Sequence, residues 1–470
     1  MKNTYLDLIQ QTFYFPQDGF EVKNNYLHFN GIDLKALIEE YGTPMRLTYL
    51  PKISENIQKA KKWFADAIEK NNYPGEYFYC YCTKSSHFAH VLKEALSNDI
   101  HLETSSAFDI DIIEKCYLHK LITKDTLIVC NGFKSKPYTQ RISKLANLDF
   151  NIIPVLDNKE ELEEYERTII YECDLGIRIA AEEQPTFHLY TSRLGIRYSE
   201  IKQFYIDKIQ SNPKFKLKML HFFINSGIRD TIYYWNELTK SLKVYCELKK
   251  ICPALDSFNI GGGWPHKNSL GFEYDYAYMA SEILNKVKST CEEEGVECPN
   301  IFTEFGSFTV AESGAFIFQV LAEKLQNDSE RWYMIDNSLM TTMPDSWGIN
   351  SRFILLPVNK WGNGVHRANV GGLSCDQMDY YNSEANTNEV YLPVINNAEP
   401  LYIGFFHTGA YQESISGYGG TKHCLIPSPQ HILVDKDENG NIITEVFAEQ
   451  QKVQSMLHIL GYDKMRDNGE

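Results

Sequence analysis

EYFYCYCTKSSHFAHVLKEAL (residues 76–96) reads as a buried strand, a polar corner and the start of a helix. Tyr77 to Cys82 are aromatic or thiol throughout, which suits a strand covered on both faces. Lys84 follows that run, and Ser85, Ser86 and His87 lead into a helical pattern carried by Val91, Leu92, Ala95 and Leu96. A lysine in that corner either reaches solvent along its aliphatic stem or holds its amine where chemistry needs it. The surrounding sequence has to decide between the two.

The strand-then-helix unit recurs. Apolar runs at Tyr77–Cys82, Ile100–Leu102, Leu127–Cys130, Ile152–Leu156, Leu175–Ala180, Leu217–Phe223, Leu255–Ile260 and Ile301–Phe302 alternate with helix-like stretches such as SEIKQFYIDKIQ and YYWNELTKSLKVYCELKK. Eight strands alternating with helices over about 230 residues predict an α/β class fold, an eight-stranded TIM-like barrel over 44–308. An open doubly wound sheet is the alternative. From residue 309 the runs shorten and alternate (FILLPV, EVYLPVI, PLYIGFF, HCLIPSPQHILVD), as in an antiparallel β domain. The segment NYLHFNGIDLKALIEEYGTP reads as a strand and a helix ending at Gly42. Residues 1–43 are therefore expected to join 309–470 in a second, β-rich domain.

The 470 residues carry a formal charge of −16, which argues against a nucleic-acid surface and mildly favours cationic small molecules. No run approaches the length of a membrane span, and the opening residues lack a signal-peptide core, so no membrane partner and a cytoplasmic location are expected. The 11 cysteines are scattered without a C-x-x-C pair, so no metal site is expected.

In a barrel of this kind chemistry gathers at the carboxyl ends of the strands. Those ends carry Lys84, Glu103, Asn131, Asp157, Arg178, Ser226, the run Gly261-Gly262-Gly263, and Glu304 with Gly306. Three consecutive glycines let the backbone approach a ligand and aim N–H groups at an anion, while a tight turn would need only one or two of them. A lysine on one strand end and a phosphate cradle on another suit pyridoxal phosphate. Glu304 then has a task, because a carboxylate against the pyridine nitrogen keeps that nitrogen protonated.

The motifs YCTKSS, HLETSSAFD, TSRLGIRY, LHFFINSG, NIGGGWP, TEFGSFTVAESG, GGLSCDQMD and HTGAYQES run from residue 81 to residue 414. In type and order they resemble the fold type III pyridoxal-phosphate decarboxylases with an alanine-racemase-like barrel. TTMPDSWGINSRFILLPV and LYIGFFHTGAYQES are most similar to biosynthetic arginine decarboxylases. The resemblance implies that Lys84 carries the cofactor and Glu304 meets its ring nitrogen. It implies phosphate contacts from Ser226, Gly261, Gly262, Gly263, Gly306 and Tyr411. It further implies a homodimer, or a higher even oligomer, with shared active sites. There Cys375 enters the neighbouring site as the acid that reprotonates the α-carbon, and Asp376 meets the far end of the substrate, with Asp345 and Glu413 as further acids.

The implied activity is decarboxylation of a basic amino acid, arginine to agmatine first. The alternatives are ornithine, lysine, diaminopimelate or carboxynorspermidine, a racemase on the same fold, or a silent relative acting as a binding protein. Three departures from the family pattern stand out. Phe223 occupies the place of a ring-stacking histidine, Ser307 that of a phosphate-binding arginine, and the chain is shorter than the usual bacterial arginine decarboxylase.

Overall fold

The computed structural model describes residues 3–182, 191–385, 387–396 and 399–465. It divides into two compact units, one formed by Ile53–Pro265 with Tyr274–Thr309, the other by Met1–Lys52, His266–Glu273 and Val310–Glu470.

The first unit is a closed parallel barrel. Its strands in chain order are β1 (Tyr77–Cys82), β2 (His101–Thr104), β3 (Ile128–Cys130), β4 (Ile152–Leu156), β5 (Cys173–Arg178), β6 (Phe215–His221), β7 (Ser257–Asn259) and β8 (Asn300–Phe305). Each pairs with its sequence neighbour, and β8 closes on β1 with Glu304 opposite Cys80. The interior is a packed core rather than a pore: Cys80, Val129, Ile153, Val155, Met219 and Phe302 fill it from five of the strands. Gly176 has no room for a side chain there, since a β-carbon would meet Val155 Cγ2 at 2.9 Å.

Helices follow the strands as the pattern predicts, and three of them are held at their start by a short polar side chain. Ser106 Oγ accepts from Asp109 N, Thr231 Oγ1 from Tyr234 N and Asp275 Oδ1 from Tyr278 N. Gly295 ends Tyr276–Glu294 in the left-handed conformation (φ 68°) that a β-carbon disfavours. β1 and β4 match the sequence reading at both ends, and the other strand boundaries shift by up to three residues. The largest consequence falls on β6, which ends at His221 and leaves Phe222 and Phe223 in the following loop.

The second unit is β-rich. Gly314–Leu325 is its spine, pairing antiparallel with Met45–Tyr49, Arg331–Ile335 and Leu401–Phe406. N- and C-terminal segments share one core, in which Phe20, Leu27, Phe29 and Leu34 pack with Ile317, Trp361, Phe406 and Ile432. This is why the first residues belong with the last. The helix Leu34–Tyr41 ends at Gly42 (φ 74°). Among the described residues, no helix is long and apolar enough to cross a membrane.

Candidate active site

The chain leaves β1 at Cys82 and winds into one tight turn, Thr83–Ser85, that carries Lys84. The turn is pinned on both sides: Thr83 Oγ1 donates to Glu103 O at 3.1 Å and Ser85 Oγ to Cys82 O at 2.8 Å. Lys84 itself is exposed. The backbone of its corner is therefore fixed, which sets where the Lys84 amine is presented.

Glu304, at the end of β8, is 6% exposed. A carboxylate stripped of water at that depth costs several kcal/mol unless partners replace the water. Two amides do so: Asn131 Nδ2 donates to Oε1 at 2.7 Å and Asn259 Nδ2 to the same atom at 2.6 Å. Each charge-assisted bond contributes about 1.5–3 kcal/mol, enough together to offset much of the penalty. Burial still pushes the carboxyl above its usual range, while the Asn131 amide, the Lys84 charge, the Asn259 amide and Arg178 pull it back. Both amides share Oε1, and Oε2 faces His221 Nε2 at 3.4 Å. Burial first, then the charges of Arg178, Lys84 and Lys134, hold His221 well below the ordinary histidine range, so its ring is neutral at physiological pH.

A second carboxylate, Glu103, lies wholly buried at the end of β2 and accepts from Cys82 Sγ at 2.6 Å. Burial raises it too, the Lys84 charge lowers it and Glu304 raises it further. The Lys84 charge thus opposes the effect of burial at both acids. Arg178, on β5, adds its charge to Glu304, Asp157 and Glu103. Asp157 in turn fixes the TSRLGIRY segment by accepting from Gly195 N at 3.0 Å.

The glycine loop answers both readings of its sequence. Gly261 and Gly263 have positive φ (68° and 100°), and a β-carbon on Gly262 would sit 2.3 Å from Glu304 O. All three positions are thus required by the backbone path alone, more than a simple turn demands. Gly227 interlocks with the loop, because its β-carbon would meet Gly263 O at 2.6 Å. Gly306 is similarly confined by Ser85 Cβ at 3.0 Å. In the segment that holds Gly227, the Ser226 Oγ is buried with no hydrogen-bond partner. An orphaned hydroxyl beside a glycine-lined approach is the donor set a phosphate ester needs. With the buried Glu304 and the accessible Lys84, these residues fit pyridoxal phosphate.

The departures from the family pattern have clear positions. Phe223 lies against Gly261, whose β-carbon would meet Phe223 Cδ2 at 3.1 Å, and the Arg178 guanidinium sits 5.8 Å from the ring centroid. The ring brings an apolar face beside the glycines and already engages a cation there. Ser307 opens the one-turn helix Ser307–Val310, so a hydroxyl stands where the pattern has a guanidinium.

The remaining sequence candidates lie in the β-rich unit. Cys375 is exposed, in the loop that follows Asn369–Gly371. Asp379 shapes this loop by accepting from Met340 N at 3.0 Å and Ser374 N at 2.9 Å. Gly372 leaves it room, since a β-carbon there would fall 2.3 Å from Asp379 Oδ2. Asp376 is half-buried and accepts from Met378 N at 2.8 Å. Asp345 accepts from Gln412 Nε2 at 3.0 Å, and burial raises its carboxyl above the usual range. Tyr411 sits beside Gln412 in a left-handed conformation (φ 66°).

Glu413, the further acid that the motif implied, forms an ion pair with Arg46, itself 4% exposed. A guanidinium at that depth needs its counter-charge.

The sequence reading assigned no role to Asn131, Asn259, His221 or Asp379. Asn131 stands out in the sequence only as a polar residue at a strand end, and Asn259 lies unmarked inside the run Leu255–Ile260; their shared target, Glu304, follows from barrel register.

Residues 52–311, more than half of the chain, match the family model described as pyridoxal-dependent decarboxylase, pyridoxal binding domain. A biosynthetic arginine decarboxylase from Geotalea uraniireducens is 23% identical over 558 aligned positions, covering 92% of this chain and 86% of the relative. One from Bacteroides thetaiotaomicron is also 23% identical, with the same coverage of each chain. The alignment is longer than the chain, so these relatives carry internal segments without a counterpart here. Among solved structures, the biosynthetic arginine decarboxylase of Campylobacter jejuni superposes with a TM-score of 0.79 at 19% identity, covering 98% of this chain and 90% of that one. A diaminopimelate decarboxylase from M. jannaschii gives 0.77 at 18%, covering 97% and 99%. At such identities the structural matches establish the fold, and the family model establishes the kinship: the chain belongs to the pyridoxal-dependent decarboxylases.

Proposed function

We propose that the protein is a cytoplasmic, homodimeric decarboxylase of a basic L-amino acid, converting arginine to agmatine and carbon dioxide in polyamine biosynthesis. The observation that carries this reading is Glu304, a buried carboxylate held by Asn131 and Asn259 at the strand ends that also carry Lys84 and the glycine loop. The names of the relatives and the TTMPDSW and GAYQES motifs support arginine as the substrate.

Bound pyridoxal phosphate supplies an electron sink for the carbon that loses carbon dioxide. Lys84 holds the cofactor through its amine, and Ser226, Gly261, Gly262, Gly263, Gly306 and Tyr411 hold the phosphate. Glu304 would keep a proton on the ring nitrogen, and the amides of Asn131 and Asn259 at Oε1 favour its charged form against burial. Cys375, reaching the neighbouring subunit's site, gives its thiol proton to the α-carbon after carbon dioxide departs. Asp376 and Asp345 receive the cationic end of the substrate.

The test is direct. Purified protein should be yellow, borohydride should fix the cofactor to the peptide containing Lys84, and arginine should yield agmatine with stoichiometric carbon dioxide. Protein that stays colourless after reconstitution, and consumes none of arginine, ornithine, lysine or diaminopimelate, would instead be a silent relative.

A further inference from the structure

Among the described residues, one group of histidine, cysteine and acidic side chains can close on a single metal ion: Cys375, His423 and Cys424. Their ligand atoms lie within 4.8 Å of one another. Cys375 Sγ is 3.3 Å from Cys424 Sγ and 4.0 Å from His423 Nε2. Tetrahedral zinc with sulfur at about 2.3 Å and nitrogen at about 2.0 Å spaces these atoms roughly 3.5–3.8 Å apart. The two Cys375 separations fall within about half an ångström of that, one on either side, and the His423–Cys424 pair lies within 4.8 Å; side-chain rotation can close these gaps.

The three side chains come from two loops of the β-rich unit, 48 and 49 residues apart, and meet only through the fold. That separation hides the group from any spacing rule. Cys424 stands in a left-handed conformation (φ 54°), unusual for a residue with a β-carbon. All three are exposed, so a metal reaches them from solvent.

We propose that Cys375, His423 and Cys424 form a binding site for a soft or borderline divalent cation of the zinc class. Two thiolates and an imidazole select such ions over magnesium or calcium, and three protein ligands leave one coordination position open. Each thiol releases its proton to solvent as it binds. The consequence rests on the role proposed above for Cys375: a metal-bound thiolate has no proton to give, so metal occupancy and turnover exclude each other.

The experiment uses the full-length holoenzyme under a phosphine reductant, which keeps Cys375 and Cys424 from joining as a disulfide. Cobalt(II) alone is the spectroscopic probe, read as a difference spectrum, with zinc as competitor. One equivalent should produce a thiolate-to-cobalt charge-transfer band that zinc abolishes. Cys424→Ser and His423→Ala should each weaken binding by at least about tenfold. No such band in the parent protein, or undiminished affinity in both variants, overturns the site. One equivalent of zinc should also stop turnover in the parent protein, reversibly with chelator, and spare Cys424→Ser. Zinc that binds as described but leaves turnover intact upholds the site and removes Cys375 from the proton-donor role.

Discussion

Asn259 ties Glu304 to the glycine loop: its Nδ2 lies 2.6 Å from Glu304 Oε1, and its Oδ1 accepts from Gly261 N at 2.8 Å. One side chain thereby sets the charge of the carboxylate and the path of the loop. Asn259→Asp separates the two tasks. It preserves the acceptor for Gly261 and the side-chain size, but it turns the donor toward Glu304 into a second acceptor.

Two carboxyl groups at that distance must share a proton, so Glu304 is expected to become largely neutral near pH 7. Losing one charge-assisted hydrogen bond costs about 1.5–3 kcal/mol, a ten- to hundredfold loss. The loss should appear in kcat at saturating cofactor, with cofactor affinity weakened as well. Asn131→Asp should behave alike without disturbing Gly261. Wild-type turnover in both variants would mean that Glu304 does not need its charge.

Much of this arrangement was legible from residue order alone. The eight strands follow from apolar runs alternating with helix-like stretches, and Lys84, the glycines and Glu304 stand out because those residue types are costly or unusual at strand ends. What the sequence concealed depends on register and on loops meeting in space. Asn131 and Asn259 lie on different strands and converge on Glu304 only when the barrel closes. Glu413 read as a substrate acid from its motif, yet its partner Arg46 comes from a segment several hundred residues earlier. No local pattern encodes that pairing.

The shared active sites proposed above make a strict prediction about mixtures. Lys84→Ala and Cys375→Ala should each be inactive alone, because each removes a group that no neighbour replaces. In a hybrid dimer, one of the two sites receives an intact Lys84 from one subunit and an intact Cys375 from its partner. Random exchange of equal amounts should therefore restore about one quarter of wild-type activity. Native mass spectrometry can verify that subunits have exchanged. If hybrids form and activity stays at background, Cys375 serves its own subunit or has another function.

Asp336 offers a test of the β-rich unit by pH. Burial pushes its carboxyl up to about 6, although Thr43 Oγ1 and Gln319 N both donate to it. An aspartate in the unfolded chain titrates near 3.9, so the unfolded state gives up its proton first as pH rises. The stability this group contributes is therefore complete below about pH 4 and is lost as pH climbs through about 6. Asp336→Asn removes the titration and should gain stability relative to wild type by about 1 kcal/mol between pH 5 and pH 8. Urea unfolding at the two pH values measures the change. A difference that does not vary with pH would show that Asp336 is ionised in the fold.

Substrate choice follows from the shape of the charge to be received. Arginine ends in a planar guanidinium that is always charged and carries five donors, so it is best met by paired carboxylate oxygens. Ornithine and lysine end in a compact ammonium, which one carboxylate and a water can satisfy. Diaminopimelate would bring a second carboxylate and need a cation to meet it. Asp376 and Asp345 are the acids offered, since Glu413 is held by Arg46. Burial raises Asp345, and the cationic end of arginine beside it would restore its charge. Arginine should be preferred over ornithine and lysine by at least about tenfold in kcat/KM, roughly 1.4 kcal/mol, which one charged hydrogen bond can supply. Asp376→Asn should lower kcat/KM for arginine by a similar factor while the protein keeps its yellow colour and its borohydride-fixed Lys84 peptide. Faster consumption of diaminopimelate or ornithine than of arginine would overturn this assignment of the pocket and leave the decarboxylase family membership intact.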